Sequence, residues 1–194
     1  MRNPNANPNA NTTAQSPNRR SIRLRGYDYS RKGAYFLTIV ARNRECLFGE
    51  IVDGQMQLND AGRIVYQCWN NIPSHFPNVN LDIFVVMPNH IHGIVVLDHA
   101  PGSGSANNHS PALNRQYGQN QRPRGTSKTI GSIVRGFKIG VTKWMRNYTP
   151  GIHVWQRNYW EHVVRDEPDL SHLREYIENN PRKWELDQLH PSQT

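Results

Sequence analysis

Met87-Pro88-Asn89-His90-Ile91-His92-Gly93-Ile94-Val95-Val96-Leu97 is the stretch that decides how this chain is read. From Ile91 onward it is apolar and β-branched, the composition of a strand buried in a sheet. Strand side chains alternate between faces, so His90 and His92 share one face while Ile91 points to the other. Ile91 then belongs to the core, and two imidazoles reach toward a common point. That geometry suits one divalent metal ion. A pair of ordinary polar residues on a strand's outer face is the other reading, and a bare His-x-His is too short to choose between them.

Upstream, Val79 to Met87 reads as a second long strand, and Pro88-Asn89 breaks it so that the histidine strand returns antiparallel beside it. Tyr35 to Val40 is a buried first strand. Leu47 to Leu58 carries Asp53-Gly54 between short apolar runs, a hairpin signal. Asn59 or Asp60 caps a helix to about Ile72, with Ile64, Val65, Cys68 and Trp69 at helical spacing. Thr126 or Ser127 caps a longer helix to about Arg146. Ile130, Ile133, Val134, Phe137, Val141, Trp144 and Met145 form its apolar side, and Lys128, Arg135, Lys138, Lys143 and Arg146 its basic side. Val154 to Val164 should be a last strand, placing Trp155, Trp160 and His162 near the site or the core. Asp166 caps a final helix with Pro168 in its first turn, ending near Pro181. Strand, helix, strand, strand, helix, strand predicts an α+β two-layer sandwich, an antiparallel sheet with helices on one face.

The chain has 194 residues, enough for one domain with a real core. Residues 1–18, with Asn-Pro-Asn-Ala at 3–6 and again at 7–10, are expected to be a disordered tail, native or a tag. Residues 99–125 are almost without apolar side chains and read as a flexible insertion in a domain spanning 19–184, with 185–194 a C-terminal tail. Lys and Arg number 23 against 15 Asp and Glu, a net charge of +8, which favours a polyanionic partner. Arg19, Arg20, Arg23 and Arg25 concentrate that charge in an arm suited to phosphate or to plain solvation. Cys46 and Cys68 show no metal-type pairing and imply no disulfide framework. No apolar run nears the ~20 residues that cross a bilayer, and the N-terminus lacks the apolar stretch of a signal peptide. A soluble, cytoplasmic protein without a membrane partner is the expectation.

Near the C-terminus, Tyr176-Ile177-Glu178-Asn179-Asn180-Pro181 places Tyr176 and Asn180 one helical turn apart on one face. Brought to the histidine pair, they would set a nucleophile beside a metal site. By itself a tyrosine next to Leu173 and Ile177 also fits a core edge, and Asn before Pro is an ordinary helix stop.

Taken together, these motifs resemble those of the HUH endonucleases, which carry a histidine–hydrophobe–histidine signature. Met87 to Gly93 with Tyr176-Ile177 and Asn180-Pro181 is similar to the small single-tyrosine transposases, and within them to the REP-associated tyrosine transposases. Ser21 to Tyr29, Gly131 to Arg135 and His162 to Glu167 add to the likeness, which spans about residues 19–184 in order. The resemblance implies a ferredoxin-like fold, Tyr176 as nucleophile, and His90, His92 and Asn180 as metal ligands. It implies cleavage of single-stranded DNA through a 5′-phosphotyrosine and a free 3′-hydroxyl, followed by rejoining to a second strand.

The chemistry agrees. A phenol of pKa about 10 needs help to lose its proton. A divalent ion, Mg²⁺ or Mn²⁺, would stabilise charge on the phosphate, and the mixed nitrogen and oxygen donors suit Mn²⁺ better. One phosphoester replaces another, so no ATP is required. The DNA, expected to contain a hairpin, would be gripped by Arg19, Arg20, Arg23, Arg25, Lys128, Arg135, Lys138, Lys143 and Arg146. Six such contacts would give a log–log salt slope of roughly −4. A monomer and a homodimer are both compatible with the residues. Two other classes stay open: a non-catalytic nucleic-acid-binding protein on the same scaffold, and a metal-dependent hydrolase of small phosphoesters.

Overall fold

The computed structural model describes residues 31–98, 129–148 and 151–193. The 1–18 tail, the arginine arm at 19–25, the 99–125 insertion and Lys128 lie outside the described residues. The elements are β1 (Gly33–Val40), β2 (Gly49–Val52), β3 (Gln55–Leu58), α1 (Asp60–Asn70), the single turn α2 (Ile72–His75), β4 (Val79–Val86), β5 (His90–Leu97), α3 (Ile130–Tyr148), β6 (Trp160–Val163) and α4 (Glu167–Asn179).

Four strands form an antiparallel sheet in the order β4-β5-β1-β6. With α1 joining β1 to β4 and α3 joining β5 to β6, the chain is the expected ferredoxin-like α+β sandwich. β1 and β5 pair along their whole length, from Gly33↔Leu97 to Val40↔His90. Their odd-numbered residues, among them Leu37, Ile39, Ile91 and Val95, enter one core with Val65 and Trp69 of α1 and Ile133, Phe137 and Val141 of α3. Each such side chain, once fully buried, contributes about 1.5–3 kcal/mol. Gly93 lies on this face under Trp69, where a Cβ would come within 2.4 Å of the indole. No other residue type fits there without moving the helix.

Local chemistry explains the boundaries. The β2–β3 hairpin turns on Asp53 (φ 50°) and Gly54 (φ 71°), both left-handed as a two-residue type I′ loop requires. Asn59 caps α1 by accepting the Gly62 N–H at 2.9 Å, and Asp166 caps α4 by accepting from Asp169 at 2.9 Å.

One expected boundary lies outside the described residues and another differs. Thr126 and Ser127, the expected caps of α3, are not among the described residues, where the helix begins at Ile130. Thr129 and Ser132 exchange backbone-to-hydroxyl bonds and close its first turn there. The last strand, expected from Val154 to Val164, pairs only over Trp160–Val163, with an isolated bridge from Trp155 to Ala41. Between them the Lys138 ammonium donates to the carbonyls of Gln156 and Asn158 at 2.8 and 3.0 Å, while the Gln156 N–H still donates to the Val40 carbonyl at 3.0 Å.

The sheet's other face is covered in part by α4. Leu170, Leu173 and Ile177 pack on Phe36 and Ile94 in a small separate cluster. Arg174 fastens the helix to β4 with a two-pronged grip on Asp82, at 2.6 and 3.2 Å.

Candidate active site

The register of the sheet assembles the site. Thr38 of β1 stands opposite His92 of β5 and opposite Trp160 of β6, so these three side chains form a row across one face. His90 and His92 lie on that face with ring centroids 4.5 Å apart, and both are buried. Thr38 Oγ1 is 2.9 Å from His92 Nδ1. Burial pushes the His90 pKa down to about 3, and burial followed by the nearness of His90 holds His92 well below the usual histidine range. Both rings are neutral at physiological pH, as metal ligands must be.

The protonated nitrogen of His90 follows from its neighbour. The Asn89 amide nitrogen donates to the carbonyls of Arg44 and Leu189 at 3.0 and 2.8 Å. That leaves Asn89 Oδ1, which can only accept, 2.8 Å from His90 Nδ1. The ring proton therefore sits on Nδ1, and Nε2 presents a bare lone pair. This is the orienting contact that ligand histidines make through their other nitrogen.

Asp187 is the residue that sequence reasoning missed. It lies in the 185–194 segment read as a tail, yet its side chain is only 6% exposed and its Oδ2 is 3.7 Å from His90 Nε2. With His90 neutral this contact is no ion pair; two lone-pair atoms face each other. Asp187 Oδ1 accepts the Leu189 N–H, an Asx turn that aims Oδ2 at the histidines. Nothing in the local sequence signals this, because one aspartate after a helix has no periodicity to read. Ligand atoms of His90, His92 and Asp187 all lie within 4.8 Å of one another. Among the described residues, His90 Nε2, Asp187 Oδ2 and Asn180 Oδ1 are buried without a hydrogen-bond partner. Buried acceptors left facing one another cost free energy unless a cation lies among them. The donor set thus fits a divalent ion.

Tyr176 and Asn180, on α4 and at its C-cap, border the same cavity of about 730 Å³ as His92 and Asp187. The Tyr176 hydroxyl lies 3.2 Å from His92 Nε2, and its ring meets the His92 imidazole edge-on at 5.1 Å. Its pKa is raised, first by burial and then by the Asp187 carboxylate, while the Asn180 amide acts in the opposite direction. His92 is too weakly basic to take that proton, so the pair is better suited to holding a cation than to general-base work.

The other singled-out residues are distributed more widely. Arg135, Lys138, Lys143 and Arg146 share a groove of about 620 Å³ on α3, together with Arg157. Lys138 spends two donors on backbone carbonyls there, and burial lowers its pKa to about 8. His162 is held by Asp169 at 2.8 Å. Trp184 is buried against His90 and His190.

The fold is an α+β sandwich, an antiparallel four-stranded sheet with helices packed on it, and a solved protein shares it. The chain superposes on a solved REP-associated tyrosine transposase bound to a REP hairpin with a TM-score of 0.54 and 21% identity, covering 87% of this chain and 77% of that one. A solved protein of Deinococcus radiodurans R1, provisionally described as a transposase, gives a TM-score of only 0.42 at 18% identity over 82% of this chain and 97% of that one. No family model matches. The chain belongs to the same family as a protein of Haemophilus influenzae (strain ATCC 51907 / DSM 11121 / KW20 / Rd) that is described only as uncharacterized. The two are 52% identical over 174 residues, 89% of this chain and 93% of that protein. Among the described residues no helix is long and apolar enough to cross a membrane.

Proposed function

We propose that this protein is a DNA transposase of the single-tyrosine kind, cleaving and rejoining single-stranded DNA at a hairpin with a divalent metal ion. The observation that carries the reading is the Tyr176 hydroxyl 3.2 Å from His92 Nε2, at the mouth of a buried donor set left without protons to share. The hairpin-bound state of the superposable transposase supports a hairpin substrate.

His90, His92, Asp187 and Asn180 would hold the ion, with Asn89 and Thr38 fixing the two rings. When bound, Mg²⁺ or Mn²⁺ supplies positive charge to a phosphate oxygen and to the phenol. Tyr176 Oη attacks phosphorus as its proton passes to solvent water, the bond from phosphorus to the 3′-oxygen breaks, and that oxygen takes a proton from water and leaves as a hydroxyl. In the reverse sense a second strand's 3′-hydroxyl attacks the phosphotyrosine, and the phenol leaves and is reprotonated. Each step exchanges one phosphoester for another, so the reaction is close to isoenergetic. The cations of the α3 groove lie across the sheet from the histidines, so with the arginine arm outside the described residues they would contact phosphates away from the cleaved bond.

The test is a pool of stem-loop oligonucleotides with randomised single-stranded arms, incubated with Mn²⁺ or Mg²⁺. Wild type should form a covalent protein–DNA adduct and Tyr176→Phe none. Equal cleavage by both, or cleavage through water without an adduct, would instead favour a hydrolase.

A further inference from the structure

Trp160 forms a wall of the catalytic cavity that the transesterification leaves unused. It opens β6, at the edge of the four-stranded sheet, and its side chain is 49% exposed. It nonetheless lines the same cavity as Tyr176 and His92. Trp160 and Tyr176 flank one ring: each meets Phe36 near edge-on, with centroids 5.6 and 6.0 Å away and interplanar angles of 75° and 70°. On its other side the indole runs parallel to the His162 imidazole to within 7° at 6.0 Å. His162 is itself pinned by the Asp169 carboxylate, which also accepts the Arg165 N–H. An exposed indole is thus braced from two directions beside the nucleophile. The row Trp160–Thr38–His92 spans two strand spacings, about 10 Å, a reach of a nucleotide's own size.

Half-exposed tryptophan on a sheet edge gains little from packing and leaves a flat apolar surface facing solvent. Unpaired bases stack on such surfaces whatever their identity. We infer that Trp160 is the platform on which the unpaired base next to the scissile phosphate stacks, with His162 and Phe36 as its positioning residues. The inference rests on the proposed DNA transesterification and specifies how the strand is seated for it.

The experiment takes a species cleaved from the stem-loop pool and replaces each nucleotide flanking the cleaved bond, in turn, by an abasic site. Initial adduct rates are measured for wild type, Trp160→Phe and Trp160→Ala. At one flanking position the abasic site should slow wild type by about ten- to a hundredfold. Trp160→Ala on the intact strand should lose a similar factor and lose almost nothing further on the abasic strand. Trp160→Phe, which keeps a ring, should recover most of the rate. Insensitivity of wild type to every abasic position overturns the platform with no variant needed, and so do losses that simply multiply in Trp160→Ala. Failure of wild type to form an adduct with any member of the pool overturns the transposase reading and the platform with it. Adduct formation without abasic sensitivity sinks the platform alone.

Discussion

Odd and even residues of β5 are buried alike, yet they serve different ends. Ile91 and Val95 sit in the hydrocarbon layer under α1 and α3, whereas His90 and His92 on the reverse face meet an amide, a hydroxyl, a phenol and a carboxylate. One face spends burial on stability. The other spends it on keeping imidazoles neutral and acceptors unpaired, which costs stability and prepares a site. Substitutions on the two faces should therefore separate folding from chemistry.

The largest separation is expected at Tyr176. Tyr176→Phe should abolish the adduct while a thermal melt stays close to wild type, since the side chain is 46% exposed. Trp69→Ala, on the hydrocarbon face, should cost about 3–5 kcal/mol in denaturant unfolding through the cavity it leaves. Its effect on the adduct rate should be no larger than the unfolded fraction explains.

Asp187→Asn should sharpen the contrast. The amide can donate to His90 Nε2, so metal-free stability should hold or rise. Mn²⁺ binding by calorimetry should weaken by more than the roughly tenfold that losing an outer-shell partner costs, and the metal-induced rise in melting temperature should shrink accordingly. Unchanged Mn²⁺ affinity would remove Asp187 from the ligand set.

The smallest effect is expected between the faces, at the clamp holding α4 on β4. The Arg174 guanidinium, chiefly by its hydrogen bonds, holds the Asp82 carboxyl below the usual carboxylate range. A depressed folded-state pKa stabilises above the unfolded value, near 3.9, and that gain disappears as pH falls through the folded value. Asp82→Asn should thus cost about 1 kcal/mol at neutral pH. The gap from wild type should close below about pH 4 when unfolding is followed across pH.

Much of this contrast is legible in the chain. The apolar, β-branched run at 91–97 with His90 and His92 two residues apart, the Asp53-Gly54 turn and the Asn59 and Asp166 caps are local signals, and the elements follow them closely. The positions of Asp187 and Asn89 are not local. Asp187 reaches His90 only because an Asx turn redirects the chain after Trp184, and Asn89 binds carbonyls 45 and 100 residues away. The contacts that flank the shortened β6 are equally non-local: Lys138 of α3 holds the carbonyls of Gln156 and Asn158 just before it. Partners distant in sequence leave no periodic trace.

Helix α4 lies outside the strand–helix–strand–strand–helix–strand unit and meets it through a few apolar side chains, the Arg174 grip on Asp82, and the contacts of Asp169 with His162 and Tyr176 with His92. The imidazoles, by contrast, are welded into a central strand. The Tyr176 phenol and the two imidazoles therefore ride on different elements, and Asn180, at the C-cap of α4, rides with the phenol. A designer could retune the reach of the phenol by editing the underside of one helix at Leu170, Leu173 or Ile177, moving Asn180 with it while both imidazoles stay in place.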